Sequence, residues 1–334
     1  MQNSLPSSLV RVASLYFEGL GTPVALDLAA KLGRGDWDGI SGVSPDPRTY
    51  LEHEWERYAR DSAAAGLLRK MVDLPTSHDR VANAMEKWWQ GEHDCKRTNL
   101  RLEPYLPSPL LPELREPGVD RVVRLIRQEV LRLVGPRPSA SAEGRFGPGA
   151  TYTDRGDRTT VPDKMTSDPS LTRDAIWYLP QWLGTQWGAA IAQRHGELSF
   201  VPGNRFSTAP KNAKTDRSIA VEPAINVFFQ LAYGRQIRHR LATRSGWDIL
   251  PGNVVKRRFR WDLDRAQDLH RQVAERSSVT REFATLDLSN ASDTVARNLV
   301  KLLLPRAWYD VLDDLRSKKT FVKGRWVCLE KFSS

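Results

Sequence analysis

The chain has 334 residues, 40% hydrophobic and 27% charged, which suits a soluble globular protein of two or more lobes. Lys and Arg total 50 against 40 acids, a formal charge of +10, which favours a polyanionic partner such as nucleic acid. Only two cysteines occur, Cys95 and Cys328, which excludes a disulfide framework or an all-cysteine zinc site and points to a reducing compartment.

The opening "MQNSLPSSLVRVASLYF" is broken by polar residues and Pro6 and lacks a signal-peptide apolar core. Residues 1–97 lean towards helix, as in "EHEWERYARDSAAAGLLRKMV" at 52–72. Residues 98–118 carry Pro104, Pro107, Pro109, Pro112 and Pro117 and cannot form one regular element. A helix is predicted at 120–134, with Val122, Val123, Leu125, Ile126, Val130 and Leu133 as its apolar stripe. Residues 135–170 read as a long polar loop region, and "FGPGAT" at 146–151 is a Gly-Pro-Gly turn. Helices follow at 173–195, 224–242 and 262–277. Within the first, "AIWYLPQWLGTQWGAAIA" at 175–192 carries Pro180, two Gln and three Trp, and reads as buried or interfacial rather than membrane-spanning.

At 283 the pattern changes. "FATLDL" has strand character, and "NASDTVARNLVKLLL" reads as a helix capped by Asn290, with Val295, Leu299, Leu302 and Leu303 on one face. Pro305 ends it, another helix spans about 306–316, and "TFVKGRWVCLEKF" reads as a hairpin turning near Lys323-Gly324. The predicted class is α+β.

Three stretches carry candidate chemistry. In "TLDLSNASD", residues 285–293, Asp287 at a strand's C-terminal edge suits Mg²⁺, which takes few protein ligands and completes its shell with water and phosphates. Asp293 lies too far along to share that ion comfortably and suits a sugar hydroxyl or a neighbouring side chain. By spacing alone the pair also reads as a strand-end aspartate and a helix-capping aspartate, both structural. In "PGNRFSTAPKNAKTDRSIAVEP", residues 202–223, Lys211, Lys214 and Arg217 recur every three residues in a loop, and "SIAVE" alternates like a strand. Three such cations suit a triphosphate, and a solvated basic loop is the other reading. In "VKRRFRWDLDR" at 255–265, Arg257, Arg258 and Arg260 interleave with Phe259 and Trp261, as in a single-strand groove or a solvated edge. His78, His93 and Cys95 lack zinc spacing, and no Ser-His-Asp arrangement, Walker loop or dinucleotide fingerprint occurs.

Taken in order, "FGPGAT", "GNRFSTAPKNAKTDRSIAVEP", "TLDLSNASDTV", "LLLPRAWYDVLDDLRS" and "EKFSS" resemble the replicase of leviviruses, the small single-stranded RNA bacteriophages. Residues 146–334 carry the resemblance, and 200–334 carry it most specifically. It implies an RNA-directed RNA polymerase with the right-hand fold: a helix-rich N-terminal region at 1–118, fingers at 119–281 with motif F at 202–223, and the start of the palm at 282–334 with motif A at 285–295. It further implies that Asp287 and the backbone carbonyl of Leu288 bind metal, and that Asp293 lies near the ribose of the incoming nucleotide. Lys211, Lys214 and Arg217 would hold the triphosphate, and two Mg²⁺ would serve the complete enzyme. "FSS" opens motif B, and no Gly-Asp-Asp of motif C occurs in these residues, so the expectation is a chain truncated before motif C and thumb and inactive alone. The implied partners are RNA template and NTPs, host elongation factors Tu and Ts and a small-subunit ribosomal protein, with no membrane, in the cytoplasm of the infected bacterium. The alternative is a non-catalytic RNA-binding or assembly protein derived from the polymerase fingers.

Overall fold

The computed structural model describes residues 5–140, 143–244, 266–286, 288 and 291–332. In chain order the helices are α1 (Ser7–Leu20), α2 (Pro23–Arg34), α3 (Trp37–Gly42), α4 (Trp55–Arg69), α5 (Arg80–Leu102), α6 (Pro117–Val134) and α7 (Val161–Thr166). Then come β1 (Ser170–Leu171), α8 (Leu179–Leu183), α9 (Gln186–Gln193), β2 (Ser199–Phe200), β3 (Asn204–Ala209), β4 (Arg217–Val221) and α10 (Ala224–Arg244). The last are α11 (Ala266–Thr280), α12 (Arg297–Leu303), α13 (Arg306–Leu315), β5 (Lys319–Val322) and β6 (Arg325–Cys328). The class is α+β and rich in helix.

Two compact units divide the chain, one of residues 1–89 with 207–219 and the other of 90–206 with 220–334. The first is a helical cluster in which Phe17 of α1, Leu28 and Leu32 of α2, Ile40 of α3, and Ala64 and Leu68 of α4 share one core. Its helix ends are written locally. Thr22 accepts from Ala25 N at 3.3 Å, with Pro23 opening α2, and Gly35 closes α2 in the left-handed conformation.

In the second unit, α10 is the spine. Its Ile225, Phe228, Phe229 and Tyr233 pack with Trp182, Trp187, Ile191 and Trp308. A buried polar network threads this core: Asn226 Nδ2 donates to Thr172 Oγ1 and to the Leu315 carbonyl, both at 2.8 Å. Glu222 accepts from Asn204 at 2.8 Å and from Ser317 at 2.7 Å. Satisfied polar groups of this kind fix one arrangement of the elements around them.

The main sheet has the order β4-β3-β5-β6; β3 and β5 run parallel, β5 and β6 antiparallel. The hairpin turns at Lys323 and Gly324, φ 46° and 76°, the two-residue positive-φ turn that matches strand twist. At Gly203 an added Cβ would lie 1.9 Å from the Lys319 carbonyl, so only glycine lets the chain enter β3 beside β5.

Several expectations need correction. Residues 173–195 form a 3₁₀ turn, α8 and α9, because Pro180 and Gly184 interrupt a single helix. The stripe of α6 is only partly covered. Val123 is buried and Val130 and Leu133 pack on the core, while Val122, Leu125 and Ile126 are exposed, since α10 and α12 meet one flank of the helix. "FATLDL" forms no strand at its described residues 283–286 and 288; Leu286 is 89% and Leu288 72% exposed. Strand propensity needs a pairing partner, and none of the described sheet strands reaches this segment. The helix expected from 290 begins only at Arg297. Residues 295–296 are held extended instead, Ala296 pairing with Lys331 and Val295 O accepting from Phe332 N at 2.7 Å. The hairpin, the "SIAVE" strand and the helices near 224–242 and 306–316 occur as expected.

Candidate active site

Asp293 sits in a 3₁₀ turn, Ser292–Thr294, closed by Thr294 N donating to Ala291 O at 3.3 Å. Its carboxylate Oδ1 accepts from Lys331 Nζ at 2.8 Å. Lys331 has no exposed side-chain surface, whereas Asp293 retains 24%, so the acid is gripped from within and open outside. A second carboxylate, Glu92 Oε1, lies 3.8 Å from the same ammonium. Glu92 Oε2 accepts from Glu330 N at 2.6 Å, which fixes the backbone that carries Lys331. Burial pushes the Glu92 carboxyl above its ordinary value, against the pull of those donors and of Lys331.

Helix α5 supplies the frame through one face, Gly91, Glu92, Cys95 and Asn99. Cys95 Sγ donates to the Asp293 carbonyl at 3.4 Å, and burial pushes the thiol up to about 11, so it is a neutral donor and not a nucleophile. Asn99 donates to the Glu330 carbonyl at 2.8 Å, and its Oδ1 accepts from Asn298 N at 2.8 Å. The start of α12 and the segment 330–332 are thereby tied to one helix face. Sequence reading missed Lys331, Glu92, Cys95 and Asn99. The signal was present in the three- and four-residue spacing on α5 and in the one cation of "EKFSS", but only the folded contacts join them.

The basic loop belongs to the other unit. Asn212 Oδ1 accepts from Lys214 N at 3.0 Å and from Thr215 N at 2.9 Å, an Asx-type turn that sets the loop's shape. Thr76 Oγ1 donates to the Ala213 carbonyl at 3.0 Å, Asn83 Nδ2 to the Lys214 carbonyl at 2.8 Å, and Asp216 N to the Arg80 carbonyl at 3.1 Å. Ala213 is buried in the helical core. Lys211 and Arg217 stay exposed and Lys214 is half-buried, so a pinned backbone presents three cations. A loop so anchored can offer charge to a phosphate with little ordering cost.

Asp287 lies outside the described residues, as do Arg257, Arg258 and Arg260. Leu288 is described and carries an exposed side chain. Among the described residues no three His, Cys, Asp or Glu gather to hold a metal, and Asp293 is already engaged by Lys331. The described residues therefore do not themselves furnish a magnesium site.

The "FGPGAT" turn has its own support. The buried Lys164 donates from Nζ to the carbonyls of Gly147 and Gly149, both at 2.6 Å. Asp154, bonded to Thr151 and Ser167, closes the same loop.

The family model described as RNA replicase, beta-chain, matches residues 47–334. The chain belongs to this family. It is 34% identical to the RNA-directed RNA polymerase subunit beta of Enterobacteria phage SP over 97% of this chain and 51% of that one. To the same subunit of Escherichia virus Qbeta it is 32% identical over its whole length and 54% of that protein. It is 35% identical to the RNA-directed RNA polymerase beta chain of Escherichia phage MS2 over 60% of this chain and 35% of that one. As a replicase beta-chain it thus spans about half the length of the first two relatives.

Proposed function

We propose that these residues form the fingers and part of the palm of a right-handed RNA-directed RNA polymerase, which transfers nucleotidyl groups from NTPs on an RNA template. The observation that carries the reading is the grip of the wholly buried Lys331 on Asp293, which leaves part of that carboxylate open to solvent. An acid held this firmly with an open side is preorganised to meet a ribose hydroxyl. In the same reading Lys211, Lys214 and Arg217 meet the triphosphate.

The residue-by-role division at 1–118, 119–281 and 282–334 goes with this proposal, as does a palm that requires motif C and a thumb beyond these residues. Asp287 and the Leu288 carbonyl are proposed to contribute to binding Mg²⁺, two ions serving the complete polymerase, which would supply a Lewis acid at the reacting phosphate. Elongation factors Tu and Ts and a small-subunit ribosomal protein are proposed as partners in the bacterial cytoplasm. No helix among the described residues is long and apolar enough to cross a membrane.

The test is template-directed incorporation of labelled ribonucleotide by a chain of the relatives' full length carrying residues 1–334, with and without Asp287→Ala. The proposal expects incorporation to collapse while RNA affinity largely survives. Unchanged incorporation overturns it, and RNA binding without incorporation in either chain supports a non-catalytic role.

A further inference from the structure

Away from the acids and the basic loop, one face of the main sheet gathers three aromatic rings and two arginines within the second unit. Arg205 on β3 stands opposite Phe321 on β5, and Phe321 pairs with Trp326 on β6. The residues that alternate with them, Asn204 and Thr320, are buried, so the opposite face is core. Tyr152, whose N–H donates to the Glu222 carbonyl at 2.8 Å, brings its ring to Trp326. Their centroids are 6.5 Å apart and the planes 16° from parallel. Phe321 and Trp326 lie 5.3 Å apart and tilted.

The cations on this face are unbalanced. Arg155 lies over the Tyr152 ring at 5.8 Å and donates from Nε to the Tyr152 carbonyl at 3.1 Å. Burial, and then the neighbouring Arg155, lower the proton affinity of the Arg205 guanidinium. Among the described residues neither arginine forms an ion pair with a carboxylate, and Arg205 Nε is buried without a hydrogen-bond partner. The aromatic cross-strand pair Phe321–Trp326 and the pairing of β5 with β3 help hold the hairpin closed without either arginine's charge. Two neighbouring guanidiniums without an acid add nothing to that closure and cost repulsion, which an anion beside them relieves.

We propose that this face binds single-stranded RNA, with unpaired bases stacking on Tyr152, Trp326 and Phe321 and a phosphate taken by Arg155 and Arg205. Flat rings interleaved with guanidiniums suit a strand whose bases are free, whereas the bases of a duplex are already stacked on each other. The inference deepens the polymerase reading and rests on it only for the identity of the RNA as template.

The test uses the 334-residue chain with a labelled decameric oligouridylate and a blunt RNA duplex of the same length, read by anisotropy across about 50 to 200 mM salt. Trp326→Leu is expected to weaken oligouridylate binding about tenfold, the loss of one stacked base. Arg155→Gln and Arg205→Gln are each expected to flatten the logarithmic salt slope by about 0.7. Because Trp326→Leu alters a hairpin, photocrosslinking of 5-iodouridine RNA to the unaltered chain gives a second reading. Adducts on Tyr152 or Trp326 support the platform. Absence of binding, preference for the duplex, unchanged affinity in all three folded variants, or adducts mapping elsewhere each overturn it. If those overturning results coincide with Asp287-dependent incorporation, the platform alone has failed. If adducts fall on the platform while Asp287→Ala leaves incorporation intact, the polymerase reading has failed and the platform stands.

Discussion

Lys331 donates to Asp293 across 38 positions of sequence, from a side chain with no solvent exposure, over 2.8 Å. The bond joins the segment just before Phe332 to the 292–294 turn, and α5 holds both partners through Glu92, Cys95 and Asn99.

Removing the ammonium leaves the buried Glu92 carboxylate and the inward side of the partly exposed Asp293 without their cation. Lys331→Met is expected to destabilise the second unit by about 3 kcal/mol, as for a buried pair that loses one member. Lys331→Arg, which keeps the charge in a wider planar head, should lose less. Urea unfolding followed by tryptophan fluorescence checks both, and a loss below about 0.5 kcal/mol in Lys331→Met, the range of an ordinary surface change, contradicts the assigned role.

Glu92 adds a pH dependence. Burial raises its pKa in the folded protein, so between the unfolded and folded values the folded state binds the extra proton. The stabilisation from this group is present at low pH and is lost as pH rises through the folded value. Relative to Glu92→Gln, the unaltered chain should therefore gain stability as pH falls from neutral towards the ordinary carboxylate range. Unfolding curves for both proteins at several pH values measure it, and a difference that shrinks on acidification runs against the account.

Gly91 faces the Asp293 turn so closely that an added Cβ would lie 3.0 Å from the Asp293 carbonyl and 3.2 Å from its Cβ. Gly91→Ala should cost about 1 to 2 kcal/mol through overpacking, despite the higher helix propensity of alanine. Gly66→Ala on α4, where a new Cβ meets nothing within 4 Å, is the control and should be neutral or stabilising. Equal effects at the two glycines would remove the close approach as the cause.

At the basic loop the expectation reverses. Lys211 and Arg217 are exposed, so alanine at either should change stability by less than about 0.5 kcal/mol. In a full-length chain each should raise the KM for nucleotide about tenfold, the loss of a charge-assisted phosphate contact. An unchanged KM in both variants would return the segment to a solvated basic loop.

What the sequence disclosed divides by range of interaction. The Lys323-Gly324 turn and the start of α2 at Thr22-Pro23 are local, and their residues dictate them. "FATLDL" shows the limit, because apolar alternation names a strand only where another strand lies beside it. The helix expected from 290 lost its first turns to a pairing with 331–332 that no local preference reveals. The site followed the same rule. Asp293 and the three cations stood out as charged residues in ordered motifs, but Lys331 and Glu92 became visible only when α5 was seen to hold them. Asp287, proposed as a metal ligand on the strength of the motif resemblance, lies outside the described residues.

The most direct measurement is therefore incorporation of labelled ribonucleotide on an RNA template by the full-length chain and its Asp287→Ala variant, with RNA affinity measured alongside. The account predicts incorporation lowered at least about a thousandfold, the scale on which a reacting-site charge acts, with RNA affinity within about twofold. Equal incorporation by the two chains would contradict it.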